Sequence, residues 1–209
     1  MHIADGILSM PVLATGTAAT LTGTAFGLKF LRNEDIPRAA LMSSAFFAVS
    51  LIHVPVGLGS AHLLLGGLIG LTMGLSSFPV ILVALLLQAV MFGHGGICAL
   101  GVNTFNMAFP ALLCYLIFSR MIRNVNSRQM IFFYGFLVGA AAIAMSCLLA
   151  ALSLYFSSRA FLSAAVLLFC ANAPLMLIEG VITGFAAVFV KKVSPEIFDV
   201  SLRLEEEAA

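Results

Sequence analysis

From Ala39 to Ser119 the chain runs 81 residues without an Asp, Glu, Lys or Arg. Water could not solvate such a run in an unfolded or partly folded surface, whereas a bilayer selects for it. A charge at mid-membrane costs roughly 2.5–3.5 kcal/mol or more. Apolar stretches fall at about 7–31, 37–52, 62–75, 79–92, 105–119, 130–156 and 161–190. A helix needs about 20 residues to cross about 30 Å of hydrocarbon. The first and sixth stretches are long enough, while the third, fourth and fifth are short and joined by uncharged, Gly-rich linkers. Irregular backbone at membrane depth survives only where protein or a water-filled cavity surrounds it. Segments 53–61 and 93–104 are therefore predicted to fold inward as re-entrant loops. The last stretch is long for an upright crossing, and a kink is expected at Ala171-Asn172-Ala173-Pro174, where proline removes a helix hydrogen bond. The pattern predicts an all-α membrane protein of about seven transmembrane helices.

Composition sharpens this picture. The chain is 62% hydrophobic and 9% charged, against about 45–50% and about 25% in soluble domains. At 209 residues it has room for one domain. We expect a single transmembrane domain over 1–195 and a short acidic cytoplasmic tail over 196–209 that carries Glu205, Glu206 and Glu207. A net charge of +1 gives nucleic-acid binding no electrostatic footing. Cys98, Cys114, Cys147 and Cys170 show no CxxC spacing, which argues against a thiolate zinc site or a disulfide framework. Seven crossings place nine of the ten Lys and Arg residues on one side and Arg159 alone on the other. The positive-inside rule then puts the C-terminus in the cytoplasm and the N-terminus outside. The chain start lacks the basic region of a signal peptide, since Asp5 sits there, so it is expected to stay intact.

The ionisable groups left in the apolar portion are His2, His53, His62, His94, Asp5 and Glu179, and such groups are functional candidates by default. A bulky second residue should preserve Met1 and its free amine. An X-His terminus can then chelate a metal through its amine, the deprotonated amide of residue 2 and the imidazole of that residue. These are three nitrogens in one plane. One further imidazole completes a square, the geometry of Ni(II) or Cu(II), and low-spin Co(II) also accepts it. His2 can equally be a polar residue at an exposed end. His62, after Gly57-Leu58-Gly59-Ser60-Ala61, is either that fourth ligand or a helix-start histidine bonded to a loop carbonyl. His53, before Val54-Pro55, could join or orient the same site. His94 in Gly93-His94-Gly95-Gly96 reads more readily as structural than as a ligand. Asp5, Asn103 and Glu179 are candidates to support ligating histidines from behind. Glu179 has the alternative of pairing within the bundle. Gly95, Gly96 and Gly101 allow close backbone approach, and the Thr- and Gly-rich first helix suits tight interhelical packing.

Met1-His2-Ile3-Ala4-Asp5-Gly6, Ser60-Ala61-His62-Leu63, Phe92-Gly93-His94-Gly95-Gly96 through Ala99–Met107, and Ile178-Glu179-Gly180 together resemble the CbiM/NikM proteins. These are the substrate-specific membrane subunits of energy-coupling-factor transporters for cobalt and nickel. The likeness extends to about Pro195. It implies a seven-helix subunit whose N-terminus folds into the core from the outer side. It also implies a metal held by Met1, His2 and the residue matching His62. The implied partners are a transmembrane coupling subunit, two cytoplasmic ATPases and a small accessory membrane subunit. The implied setting is a bacterial or archaeal cytoplasmic (inner) membrane. Cobalt or nickel is then a transported substrate and no catalytic cofactor is expected. The segment Ile7-Leu8-Ser9-Met10-Pro11 does not choose between the metals; cobalt is favoured slightly. The chain has no Walker motif, so ATP hydrolysis would lie with the partners. Two other readings compete: an intramembrane metalloenzyme using His62, His94 and Glu179, and an assembly subunit with no site. The first lacks HExxH or an acid–base pair beside a histidine.

Overall fold

The computed structural model describes residues 2–51, 53–56 and 59–198, with the backbone alone for 53–56 and 59–61. Within these, the regular structure is helical except for one small hairpin. The helices are α1 (Met10–Lys29), α2 (Ile36–Ser50), α3 (Gly66–Met73), α4 (Ser77–Phe92), α5 (Leu100–Arg123), α6 (Arg128–Ser157) and α7 (Leu162–Val193). Strands β1 (His53–Val56) and β2 (Gly59–His62) pair antiparallel between α2 and α3, with His53 opposite His62. The 53–61 segment, expected as an irregular loop, thus satisfies part of its own backbone as a ladder.

Among the described residues four segments are long and apolar enough to cross a membrane: Gly66–Phe92, Leu100–Arg123, Arg128–Ser157 and Arg159–Val193. α1 has the length, but its threonines and glycines dilute its hydropathy, and α2 has only 15 residues. Inside Gly66–Phe92 the chain reverses. Gly70 meets Ala111 and Gly74 meets Tyr115, whereas Phe78 returns to Phe105, with ring centroids 6.3 Å apart. The reversal is made at Gly74, whose φ of 54° is open to glycine. α3 is therefore a half-length helix starting deep in the bundle. α7 runs unbroken through Pro174, where Asn172 Nδ2 donates to Leu168 O at 2.7 Å.

Small residues set the helix spacings. A Cβ on Gly16 or Gly101 would collide across the α1–α5 contact, where Thr20 Oγ1 donates to Gly101 O at 2.6 Å. A Cβ on Gly67 would lie 2.8 Å from Gly139 Cα, and one on Gly139 would strike the Glu179 carbonyl. α3, α6 and α7 thus meet backbone to backbone. The core between them is apolar, with Phe46, Ile69, Ile81 and Met107 on one side and Leu71, Cys114, Ile122 and Phe198 on the other. The packed region continues to Phe198, which is fully buried; residues 199–209 lie outside the described residues.

Gly70→Ala should destabilise the protein by about 1–3 kcal/mol, because its methyl has no space against the Ala111 carbonyl. Gly66→Ala should be tolerated, since its Cβ would find its nearest neighbours at 3.9 Å. Thermal unfolding of the detergent-solubilised protein compares the two.

Candidate metal centre

Three histidines converge although 60 or more residues separate His2 from His62 and His94. His2 and His62 are buried, and their rings stack with centroids 4.6 Å apart and planes 23° apart. His94 sits at the edge of this pair, 6.2 Å from His2 and stacked on Phe92 at 5.8 Å. His53 lies across the hairpin from His62, but its side chain, like Met1, is outside the described residues.

The chain start reaches this position because its backbone is clamped. Ile3 N–H donates to Asn103 Oδ1 at 2.9 Å, and Asn103 Nδ2 donates to Ile3 O at 3.0 Å. One side-chain amide thus satisfies both polar groups of a buried residue, as a neighbouring strand would. Asp5 adds a second hold: Ala99 N–H donates to Oδ1 at 2.8 Å and Cys98 N–H to Oδ2 at 3.3 Å. These amides lead into α5, so the carboxylate lies at a positive helix end. Further along, Ser9 N–H donates to Ser157 Oγ at 3.1 Å. Ile3 and Leu8 complete the anchorage by packing on Ala99, Val102, Leu154 and Leu168.

The 93–99 turn is shaped to receive this segment. Gly93 ends α4 in the left-handed region, with its N–H donating to Ala89 O. Gly95 and Gly96 follow at φ 75° and 82°. A Cβ on Gly95 would come within 2.8 Å of Asn103 Nδ2, and one on Gly96 would collide with the Asp5 carboxylate. Both conformation and space therefore require glycine.

His62 is oriented from its own chain. Its Nδ1 lies 3.0 Å from Leu63 O. A carbonyl only accepts, so Nδ1 carries the proton and the lone pair resides on Nε2, the arrangement a metal-binding imidazole uses. Two residues on, Leu64 N–H and Leu65 N–H both donate to Glu179 Oε1, the latter at 2.6 Å. Glu179 is fully buried in the middle of α7 and caps the start of α3. Leu65 has φ 51°, the one described non-glycine residue in the left-handed region. Asp5, Asn103 and Glu179 thus hold backbone, and the atom behind the His62 ring is the Leu63 carbonyl. Sequence reasoning missed these main-chain groups, since a carbonyl and two amides carry no residue-type signal.

Among the described residues no three His, Cys, Asp or Glu side chains form a ready metal cage. The arrangement offers two imidazoles beside a clamped N-terminal segment.

A family described as the cobalt uptake substrate-specific transmembrane region (CbiM) matches residues 2–197. A Haemophilus influenzae protein assigned to metal transport is 34% identical over 200 residues, covering 95% of this chain and 97% of that protein. A fused nickel transport protein of Rhodobacter capsulatus is 36% identical over 114 residues, which are 52% of this chain and 33% of that protein. The crystal structure of a transition metal transporter superposes with a TM-score of 0.74 at 27% identity, covering 99% of this chain and 98% of that one.

Asn103→Ala would leave the buried N–H and C=O of Ile3 without partners, about 1–3 kcal/mol for each group. The N-terminal segment should loosen: amide exchange at Ile3 should accelerate while that in α6 stays unchanged.

Proposed function

Because the chain belongs to the cobalt uptake substrate-specific transmembrane family, we propose that this member binds one Co(II) or Ni(II) ion at its N-terminus and delivers it to an ATP-driven importer. The burial and stacking of His2 on His62 beside the clamped chain start carries this reading. In it, the ligands are the Met1 amine, the His2 amide nitrogen and imidazole, and His62 Nε2. Four nitrogens in a plane suit Ni(II) and low-spin Co(II). Cobalt is slightly favoured, in keeping with the family.

Each part of the fold has a place in this scheme. The Asn103 and Asp5 clamps hold the terminal chelate in one register, so ordering it is not left to the metal. His94 stays at the rim, stacked on Phe92, and supports the 93–99 turn rather than ligating. The reversed α3 and the 53–62 hairpin act as re-entrant segments carrying His62 to membrane depth. With seven crossings, the histidine end faces outward, and Lys29, Arg38, Arg123 and Lys191 face the cytoplasm. The membrane is the cytoplasmic (inner) membrane of the cell. The packed domain runs through Phe198, a little past the expected boundary at 195, and the acidic segment beyond it is a cytoplasmic tail.

Concentrating a cation requires coupling to an energy source, and this chain carries no nucleotide-binding motif. We assign that work to a coupling membrane subunit and two ATPases, with a small accessory membrane subunit assisting. The ATPase states must bind the outward and inward forms unequally, because only differential affinity shifts an equilibrium.

Calorimetric titration of the full chain with Co(II) and Ni(II) tests the site. Extending the chain before Met1, His2→Ala and His62→Ala should each abolish binding, whereas His94→Ala should bind normally. Undiminished binding in the extended chain would remove the terminal amine from the ligand set. In vesicles, ATP-dependent metal accumulation should require the coupling subunit and both ATPases. ATP hydrolysis by this chain alone would contradict the division of labour.

A further inference from the structure

The Leu63 carbonyl and the Leu64 N–H belong to one peptide group. His62 Nδ1 donates to the oxygen of that group at 3.0 Å, and its N–H donates to Glu179 Oε1. The peptide is trans, so the two bonds leave it in opposite directions. From Glu179 to His62 there is thus an unbroken line: carboxylate, peptide N–H, peptide carbonyl, imidazole N–H. The adjacent Leu65 N–H, donating to the same oxygen at 2.6 Å, holds the carboxylate on this line. Glu179 has no solvent access, and Gly139 and Gly67 bring α6 and α3 close around it.

We infer that Glu179 is a positioning and polarising residue for the metal ligand His62, acting through the Leu63–Leu64 peptide group. Metal-bound histidines commonly give their second N–H to a carboxylate, which fixes the ring and strengthens it as a ligand. Here a peptide group stands between the two. A peptide whose N–H is bonded to a carboxylate has a more electron-rich carbonyl, since successive hydrogen bonds polarise one another. That carbonyl holds the imidazole proton more firmly and raises the donor strength of Nε2. Burial closes the Glu179 end of the line to water, while the His62–Leu63 bond is part-buried. It also explains why α7, which contributes no ligand, sends a carboxylate to the hairpin's exit. The inference rests on the ligand role proposed above for His62.

The test uses the full chain with its native N-terminus in detergent and Ni(II) as the probe. Affinity and the d–d absorption band are read together. Glu179→Gln keeps the shape and an acceptor oxygen for both amides but removes the charge. It should weaken Ni(II) binding about 10-fold and move the band to longer wavelength, because the Nε2 ligand field weakens. Glu179→Ala should lose up to about 100-fold, the range typical of outer-sphere partners. Gly184→Ala disturbs the same α6–α7 contact, where its Cβ would lie 2.9 Å from the Phe132 ring, without touching Glu179. It should leave the band in place. A native band in Glu179→Gln, with or without lost affinity, alongside a lost band in His62→Ala would overturn the relay and leave the metal site standing. A native band in His62→Ala would instead overturn the ligand assignment itself.

Discussion

Backbone that leaves a helix inside an apolar bundle must find every hydrogen-bond partner within the protein, and the site depends on how this chain meets that constraint. It does so deep in the bundle with the buried carboxylate of Glu179, and the same device recurs at the exposed rim with Asp5. Asp5 receives two amides at the start of α5, and Glu179 receives two at the start of α3. Neither helix is capped by its own flanking side chain. Distant segments supply the caps instead, so closing each helix end also docks a second piece of chain. For α5 that piece is the N-terminus, and for α3 it is the middle of α7. Asn103 completes the first junction by bonding both polar groups of Ile3.

The carboxylates can reach these amides because the neighbouring helices carry so little. Gly96 leaves room for Asp5, and Gly67 and Gly139 let α3, α6 and α7 touch at the level of Glu179. A half-length helix such as α3 gains little from its own hydrogen bonds, since nucleation is unfavourable and propagation short. Its stability comes from tertiary contacts, and every described residue of α3 except Leu68 is buried. The short helix is therefore a consequence of the loop it terminates: it begins where His62 has to be, and reverses at Gly74 to give α4 a full-length path.

Charge and apolar surface divide along the molecule. Arg32 and Arg38 pair with the buried Asp35, and Arg38 Nη1 also donates to Thr72 O at 3.4 Å, near the far end of α3. Lys191 Nζ donates to Arg123 O at 2.7 Å in the same half of the bundle, joining the ends of α5 and α7. The histidines lie toward the opposite ends of these helices. Leu177, Val181, Phe185 and Phe189 on α7 are exposed, as lipid-facing positions are when the solvent is hydrocarbon.

The apolar run from Ala39 to Ser119 and the spacing of the apolar stretches were enough to derive a helical, multi-pass membrane protein. These are properties of transfer energy and backbone freedom, which act residue by residue and so are written in residue types. His2 and His62 could likewise be singled out, because an ionisable ring in an apolar chain is conspicuous by itself. Their stacking was not derivable, since it is made by the register between segments 60 residues apart. The same holds for the roles of Asp5, Asn103 and Glu179. Each could be suspected of supporting a histidine, but which backbone group each one grips follows from helix ends brought together in space. The peptide line from Glu179 to His62 is the extreme case. Its central members are main-chain atoms of two leucines, which every residue possesses, and only the tertiary structure turns them toward a carboxylate and an imidazole.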